Sequence, residues 1–446
     1  MKKRWTFLLA LPLLLGTPTM MTSCGDDDPD PSGNPNNPET PSNPNQSGNG
    51  NTKLDSESQK QKLQKTAENF MNEVPANEFR NLSQLANYVN DQYLENDNYK
   101  NDVVTDWFED VLNANVSFDK TGYESSYWRE DYYKRIITLS QFKGKFVAEG
   151  KGWKKSDAKD LQFEFKDQNN QTCVLTVQTS GNVVKAYVGD SWDDDYQDAN
   201  EQWVEKIHEN YVYVPEVITT SLTQGGNTIV SAKVEIDHSK FNGPEYDLTK
   251  DALSTKATAT VNNFTWVVER ASHNGKEGSA YVKASMSKAG KKLVALEASV
   301  ADTKVNNDGD LLQGGAAKVS VDILGQVQIK GTCSDVKKFA DYLEEADDND
   351  ENESMFKSYV NQANSLLDLG MYFDGGKTRQ CKLRIDSFED GYSSWKYWTY
   401  EPVLVFDDDS TYSTFTAFFN ESSFRNVINM FEDLIRSYEN LVDFVD

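Results

Sequence analysis

The feature that most constrains the fold is the alternation of apolar and polar residues along the stretch 211–332. Apolar side chains occupy nearly every second position in four runs, at 230–236, 280–286, 294–300 and 319–329. An alternation with period two places one set of side chains on a core and the other in solvent, as in antiparallel sheets. Ala289-Gly290, between the second and third runs, is typical of a hairpin turn. We therefore predict an α+β fold built on a large curved antiparallel β-sheet.

The last of these runs predicts one strand of about 13 residues, roughly 43 Å long. Gly325 occupies an inward position in this strand. Glycine at such a position often marks a bend or a close approach by another element. This interpretation supports the curvature predicted for the sheet.

Shorter alternating runs flank this block. They predict strands at 134–149, 160–167, 171–178 and 181–188 before it, and at 379–387, 395–406 and 412–419 after it. The earlier strands are predicted to be antiparallel, with turns at Asn169-Asn170 and Ser180-Gly181.

Apolar residues at helical spacing indicate six amphipathic helices. Their stripes lie at 63–74, 79–93, 103–112, 336–343, 356–367 and 424–445. Pro75 and Gly370 are predicted to end the first and the fifth of them. Since each stripe covers one side of its helix, we predict that the helices pack on one face of the sheet. Strand runs separated from helix runs favour α+β over a doubly wound fold.

The N-terminus carries a separate signal. A basic start at residues 2–4 precedes the apolar run 5–15, which is too short to span a bilayer. This combination is typical of a secretory signal peptide.

The motif Met21-Thr22-Ser23-Cys24, followed by Gly25-Asp26-Asp27-Asp28, resembles the lipobox and the acidic export tract of surface-exposed lipoproteins of Bacteroidota. The family prefers Leu at the position of Met21. The resemblance implies that Cys24 becomes the acylated N-terminus of the mature protein. It also implies an outer-membrane, cell-surface location, with the lipid anchor as the contact to the membrane.

The stretch 25–52 holds six of the twelve prolines and contains no Lys, Arg or aromatic residue. Such composition buries little apolar surface and predicts a solvated tether with an r.m.s. span of about 30 Å. We therefore predict four regions. They are a signal peptide at 1–23, the lipidated cysteine with a disordered tether at 24–53, helices with a small antiparallel sheet at 54–205, and a β-rich region with C-terminal helices at 206–446.

The formal net charge of the chain is −26. Such an acidic chain repels phosphate backbones and anionic headgroups, which argues against nucleic acid as a partner. It also indicates that the lipid on Cys24, and no basic patch, does the anchoring.

Three cysteines follow Cys24, namely Cys173, Cys333 and Cys381. None has a CxxC spacing, and an odd number cannot all pair. Buried free thiols are the favoured interpretation, and one disulfide among the three stays open.

The histidines and the acidic runs offer no clear metal site. His208, His238 and His273 are scattered, lack zinc-ligand spacing and are predicted to be exposed at strand ends and turns. The acidic runs at 193–195, 347–353 and 407–409 do not match a calcium-binding loop. We interpret the run at 347–353 as a solvated connector between two helices, and calcium binding stays open.

Aromatic residues are the most suggestive feature outside the predicted core. On one strand, Trp395 and Tyr397 are predicted to face one side and Trp398 and Tyr400 the other. A second patch comprises Tyr123, Tyr127, Trp128, Tyr132 and Tyr133. Exposed aromatic rings stack on sugars or anchor protein partners. The structural alternative is that helices cover both faces.

The sequence contains no nucleophile elbow, P-loop or dinucleotide-binding glycine pattern. We therefore predict no enzymatic activity, no catalytic residues, no cofactor and no metal. The favoured function is a surface lipoprotein that binds a glycan or protein ligand. A lipid or hydrophobe carrier with a half-barrel fold is one alternative, although inward alanines at 232, 280, 284 and 298 argue against a roomy cavity. A hydrolase with an unrecognised acidic pair is the other.

Overall fold

The structure is a computed structural model. It describes residues 51–100, 103–112, 116–117, 137–138, 143–197, 203–241, 249–306, 311–392, 395–406 and 411–412. The α-helices within these residues are α1 Ser56–Glu73, α2 Arg80–Val89, α3 Val103–Leu112, α4 Val336–Asp347 and α5 Glu353–Ser365. A 3-10 turn at Ala76–Phe79 precedes α2, and a π-helical turn at Asn90–Leu94 follows it.

The strands follow one another along most of the described chain. The first ten are β1 Val116–Ser117, β2 Ile137–Thr138, β3 Gly144–Glu149, β4 Gly152–Ser156, β5 Leu161–Lys166, β6 Thr172–Gln197, β7 Trp203–Gln224, β8 Asn227–Asp237, β9 Ala252–Val261 and β10 Phe264–Asn274. The other ten are β11 Ser279–Lys288, β12 Lys291–Val300, β13 Lys304–Val305, β14 Leu311–Gln313, β15 Ala317–Ile323, β16 Val327–Cys333, β17 Leu367–Phe373, β18 Cys381–Tyr392, β19 Trp395–Val405 and β20 Thr411–Tyr412.

Sixteen of the described strands form one large sheet. Their order is β20-β19-β18-β17-β16-β15-β12-β11-β10-β9-β8-β7-β6-β5-β3-β4. The predicted α+β fold with a large curved sheet is confirmed. Neighbouring strands are antiparallel except β3 and β5, which are parallel. The prediction that the strands of this region are all antiparallel is therefore wrong for this pair. The reason is that β4 pairs with one edge of β3, so β5 joins the other edge.

The helix predictions are confirmed for the described stripes, with one correction. Helix α1 begins after Asp55, whose carboxylate accepts a hydrogen bond from the Ser58 N–H (2.8 Å), and it ends before Pro75. Helix α5 ends at Ser365 with Leu366 as its C-cap. Gly370 is therefore not the predicted cap, because it lies inside β17.

The predicted long strand over 319–329 is wrong, because it is the hairpin of β15 and β16. Ile323 pairs with Val327, and the residues between them include Leu324 (φ 56°) and Gly325 (φ 71°). Gly325 supplies the left-handed backbone conformation that a tight turn needs. The predicted turns at Asn169-Asn170 and Ala289-Gly290 are confirmed, with positive φ at Asn170, Ala289 and Gly290.

The predicted turn at Ser180-Gly181 is also wrong, since β6 passes through it. The pairing register of β6 with β7 shifts between Ser180 and Val183, which marks a β-bulge. Gly181 has φ +87°, a conformation that fits a bulge as well as a turn. Strand β7 spans the boundary that we predict between 205 and 206, so the sheet continues across it.

The described helices that pack on the sheet share one of its faces. On β19, Leu404 packs with α1, whereas Trp398 and Tyr400 pack with α5. Residues at even separation along a strand lie on the same side. On the other half of the sheet, Leu222 packs with α2 and α3, and its cross-strand partner Val230 packs with α1. We call this side the inner face and the opposite side the outer face.

Helix α1 covers the inner face at one end of the strands. Its buried residues Met71 and Val74 join a core that also contains Phe79, Phe264 and Trp266. This core continues along the same end of the sheet to β19, through the residues Leu293, Val327, Met371, Phe373, Cys381, Leu404 and Phe406. Helix α1 and this core therefore cover the same end of many strands.

A second core lies under α2 and α3. The Phe108 ring of α3 lies 5.1 Å from Phe163 and 5.3 Å from Trp153 between ring centroids. Tyr93 adds a hydrogen bond from its hydroxyl to the Lys166 carbonyl (3.0 Å). This core anchors the β3–β7 end of the sheet.

In the described part of the chain, none of the helices is both long and apolar enough to cross a membrane. The helix predicted at 424–445, most of the strand predicted at 412–419 and the tether up to residue 50 lie outside the described residues.

Candidate functional site

Two of the four candidate ligand-contact aromatics, Trp398 and Tyr400, lie on the inner face against α5. The Phe356 ring is 6.5 Å from Trp398 and 6.1 Å from Tyr400. The Lys357 ammonium sits over the Trp398 ring at 4.1 Å, and the Tyr400 hydroxyl donates to Asp347 (3.3 Å). These rings serve mainly to pack the helix pair α4–α5 against the sheet. On this face the structure therefore agrees with the structural alternative, in which helices cover the aromatic residues.

Of the other two candidates, Tyr397 lies on the outer face of β19. Tyr397 is half-buried and donates a hydrogen bond from its hydroxyl to Asp390 (3.1 Å). Trp395 pairs with Tyr392 at the tip of the β18–β19 hairpin. The structure thus places Tyr397 on the face opposite Trp398 and Tyr400, as the alternation predicts. The side chain of Trp395 does not belong to the described part.

Several other candidates lie outside the described residues. These are Cys24, the aromatic patch at 123–133 and the acidic run at 407–409. The run at 193–195 lies within the described backbone of β6, but its side chains do not belong to the described part.

The acidic run at 347–353 joins α4 to α5, as predicted. Asn352 caps α5 by accepting from the Met355 N–H (3.2 Å), and the Asp350 carbonyl accepts from the Trp398 N–H (2.7 Å). Burial raises the pKa of Asp347, and the nearby Asp348 and Asp350 raise it further. The hydrogen bond from Tyr400 lowers this pKa but does not offset the increase.

Among the described side chains, no group of three His, Cys, Asp or Glu residues could hold a metal ion.

The three described cysteines are free thiols. Cys173 and Cys381 are buried, and Cys333 is half-buried. Burial, assisted by the charge of Asp167, raises the pKa of the Cys173 thiol to about 11. Such a thiol is almost fully protonated at neutral pH and is a poor nucleophile.

The inner face has an apolar area whose side chains lie outside the buried clusters under α1, α2–α3 and α5. It consists of eight half-buried side chains on β11, β12 and β15–β17, namely Val282, Leu296, Ala298, Val300, Val319, Val321, Ile329 and Leu369. We call this set the inner strip. Cross-strand pairs such as Val282–Ala298 and Ala298–Val319 show that its members share one side of the sheet. None of them belongs to the described hydrophobic clusters under α1, α2–α3 or α5.

Two small residues lie within this area. Ala298 lies in its centre, and Gly331 lies between Val319 and Leu369 in the pairing. A Cβ atom at Gly331 would overlap the Asp368 carbonyl, so only glycine allows β16 and β17 to approach this closely. The inner strip is therefore an apolar surface with small residues at its centre.

A buried apolar cluster adjoins the inner strip on β8–β11. Val234, Ile236, Ala257, Val268 and Ala284 form it, and the described side chains packed against it, Leu253 and Ala271, also belong to the sheet. Ala284 pairs with Leu296 of the inner strip, so the two areas are continuous.

Two histidines lie at the edge of these areas, which corrects the prediction that they are exposed. His238 follows β8 and is only 9 % exposed, and its Nε2 atom is buried. His273 is a half-buried residue of β10, and its burial lowers its pKa. The alternation 230–236 extends in phase to His238, and this signal would have placed it on the inner face.

No protein-family model matches the chain, and no curated protein or solved structure matches it either.

Proposed function

We propose that this chain is a lipid-anchored lipoprotein of the cell surface that acts as a non-enzymatic binding module. The lipobox-like motif at Cys24 and the proline-rich stretch after it support the anchor and the outer-membrane location. The absence of a catalytic sequence motif supports a binding role over the alternative of a hydrolase. A panel of polysaccharide and peptide substrates tests that alternative, which stands only if one of them is turned over.

The described start of the fold indicates how the tether joins the body. The Asn51 carbonyl accepts from the Thr378 hydroxyl (2.7 Å), and its side chain accepts from the Lys377 N–H (3.2 Å). Residue 51 therefore lies at the β17–β18 connection, at the end of the strands that α1 covers, and this supports a tether that enters the fold there. The opposite end of the strands would then point away from the membrane.

The observation that carries the choice of ligand is the inner strip. Eight apolar side chains on one face of the sheet remain half-buried, and none of them belongs to the buried clusters under α1, α2–α3 or α5. Covering such a surface is favourable by about 0.8 kcal/mol for each CH₂ group buried. The ligand class that suits it best is an extended apolar chain, so the hydrophobe-carrier alternative becomes the leading specific function.

The outer face supports a second candidate, glycan or protein contact through Tyr397. This ring is half-buried on the outer face, and its hydroxyl donates a hydrogen bond to Asp390. Trp398 and Tyr400 fit this role less well because α5 packs on them.

The test uses the full chain carrying Cys24→Ser, so that its own acyl chains cannot compete. Solvent extracts of the purified protein are analysed by mass spectrometry, and binding of a fluorescent fatty acid is titrated. We expect co-purified lipid and saturable binding. Filling the inner strip with Ala298→Phe should weaken binding about tenfold, a loss of about 1.4 kcal/mol.

Ala295→Phe is the matched control, because Ala295 lies on the same strand and pairs with Ser285 and Asp322 on the outer face. It should leave binding unchanged. An extract without lipid together with no binding of the probe would reject the carrier function. That result would leave the inner strip to another occupant, such as the helix predicted at 424–445.

A further inference from the structure

His238 stands at the end of the inner face, and its side chain belongs to that face. Along β8 and beyond, burial alternates strictly, with Val234 and Ile236 buried and Glu235 and Asp237 exposed. His238 continues the buried set. Because side chains alternate along an extended chain, its ring is directed to the same side as Val234 and Ile236.

The Nε2 atom of His238 is buried and has no hydrogen-bond partner within the described part of the chain. Protein interiors nearly always pair buried polar atoms, since an unpaired one lowers stability. A buried ring nitrogen beside an apolar surface therefore points to a ligand group as its partner.

The pairing connects His238 to the inner strip. Asp237 pairs with Ser254, which brings His238 beside Leu253 on the next strand. Leu253 is packed against the buried cluster of β8–β11. It pairs with His273 on β10, so the two histidines flank Leu253 at this edge.

The cross-strand pairs that include His273 continue into the inner strip. His273 pairs with Ala280, and Ala280 pairs with Val300. A ligand that lies along the inner strip would therefore reach the histidines at the end of the strands opposite α1.

We propose that the ligand is an amphiphile with a single carboxylate, whose apolar chain covers the inner strip and whose carboxylate accepts a hydrogen bond from His238 Nε2–H. This inference rests on the proposed function. A hydrogen bond to a charged acceptor is about twice as strong as a neutral one, which favours a carboxylate over an ester or alcohol. The net charge of −26 disfavours headgroups with several negative charges, such as phosphomonoesters.

The test compares palmitate with its methyl ester on the full chain carrying Cys24→Ser at pH 7, by displacement of a fluorescent fatty acid. We expect palmitate to bind about tenfold more tightly than the ester. In His238→Leu the two ligands should bind equally, with the affinity for the ester unchanged. His238→Gln keeps a side-chain N–H and should retain most of the preference.

The outcomes separate the two proposals. Binding of neither ligand by the unsubstituted protein rejects the carrier function itself. Equal binding of palmitate and the ester rejects only the role of His238, whether or not the variants fold. A preference that persists in a folded His238→Leu, checked by circular dichroism, also rejects that role and assigns the carboxylate to another group.

Discussion

Gln59 on α1 and Gln380 before β18 hold the start of the folded chain against the sheet. Gln59 Nε2 donates to the Gln380 carbonyl (3.1 Å), and Gln380 Nε2 donates to the Thr52 carbonyl (2.9 Å). Gln380 also accepts from the Leu54 N–H (2.9 Å). Both glutamines are almost fully buried, so these bonds are shielded from water. They hold residues 52 and 54 against the sheet, where the proposed tether would enter the fold.

Replacing Gln59 should destabilise the fold. Gln59→Leu leaves the carbonyls of Leu54 and Gln380 without the Nε2 donor. We expect the free energy of unfolding to fall by about 1–3 kcal/mol, measured by urea denaturation. Gln61→Leu, on an exposed position of the same helix, should change it by less than about 0.5 kcal/mol. Equal effects of the two substitutions would contradict the role of the buried bonds.

Trp398 should contribute more to stability than its neighbour Tyr397. Trp398→Ala removes the ring that packs on Phe356 and under Lys357. We expect a loss of about 2 kcal/mol, less than for a fully buried Trp. Tyr397→Ala removes the exposed hydrogen bond to Asp390 and should cost about 1 kcal/mol or less. Thermal unfolding of both variants decides the order, and the reverse order would show that α5 does not depend on Trp398.

The cysteines should differ in their reactivity. With Cys24→Ser in place, Cys173 and Cys381 should resist a maleimide at pH 8 in the folded protein, because both are buried and the pKa of Cys173 is about 11. The half-buried Cys333 should react slowly, since burial raises its pKa as well. In urea without reductant all three should react. Recovery of a single thiol in urea would reveal a disulfide between the other two.

Neutralising Asp347 should stabilise the fold at neutral pH. Its pKa is raised above 3.8, chiefly by burial, so the folded state holds this proton more tightly than the unfolded state. Stability therefore falls as the pH rises from 3.8 through the folded pKa. Asp347→Asn should add at most about 1 kcal/mol at pH 7, because the carboxylate is only partly shielded and solvent screens its charge. The gain should vanish below pH 3.8, and an equal gain at both pH values in thermal unfolding would exclude this mechanism.

The sheet was predictable because side-chain alternation reports directly on burial. The hairpin at Leu324-Gly325 was missed for a physical reason. Ile323 and Val327 pair across the turn and both face inward, so the alternation stays in phase through it. A strand and a hairpin with three residues between the paired positions therefore give the same sequence pattern.

The candidate site was less predictable. The alternation places Val282 and Val319 on one face, but it does not show which part of that face each helix covers. His238 was missed because an isolated histidine carries no motif and it follows the end of β8, although the alternation at 230–236 runs in phase with it. Its role depends on burial beyond the end of a strand, and burial depends on long-range packing.

The most direct test of the apolar inner strip as a ligand site is photo-crosslinking with a diazirine fatty acid, followed by peptide mapping. The label should attach to inner-strip residues such as Val282, Val300 and Val319, and Ala298→Phe should reduce it about tenfold at probe concentrations below the Kd. Labelling confined to outer-face residues such as Ser285 and Ser320, or no saturable labelling at all, would contradict the proposed function.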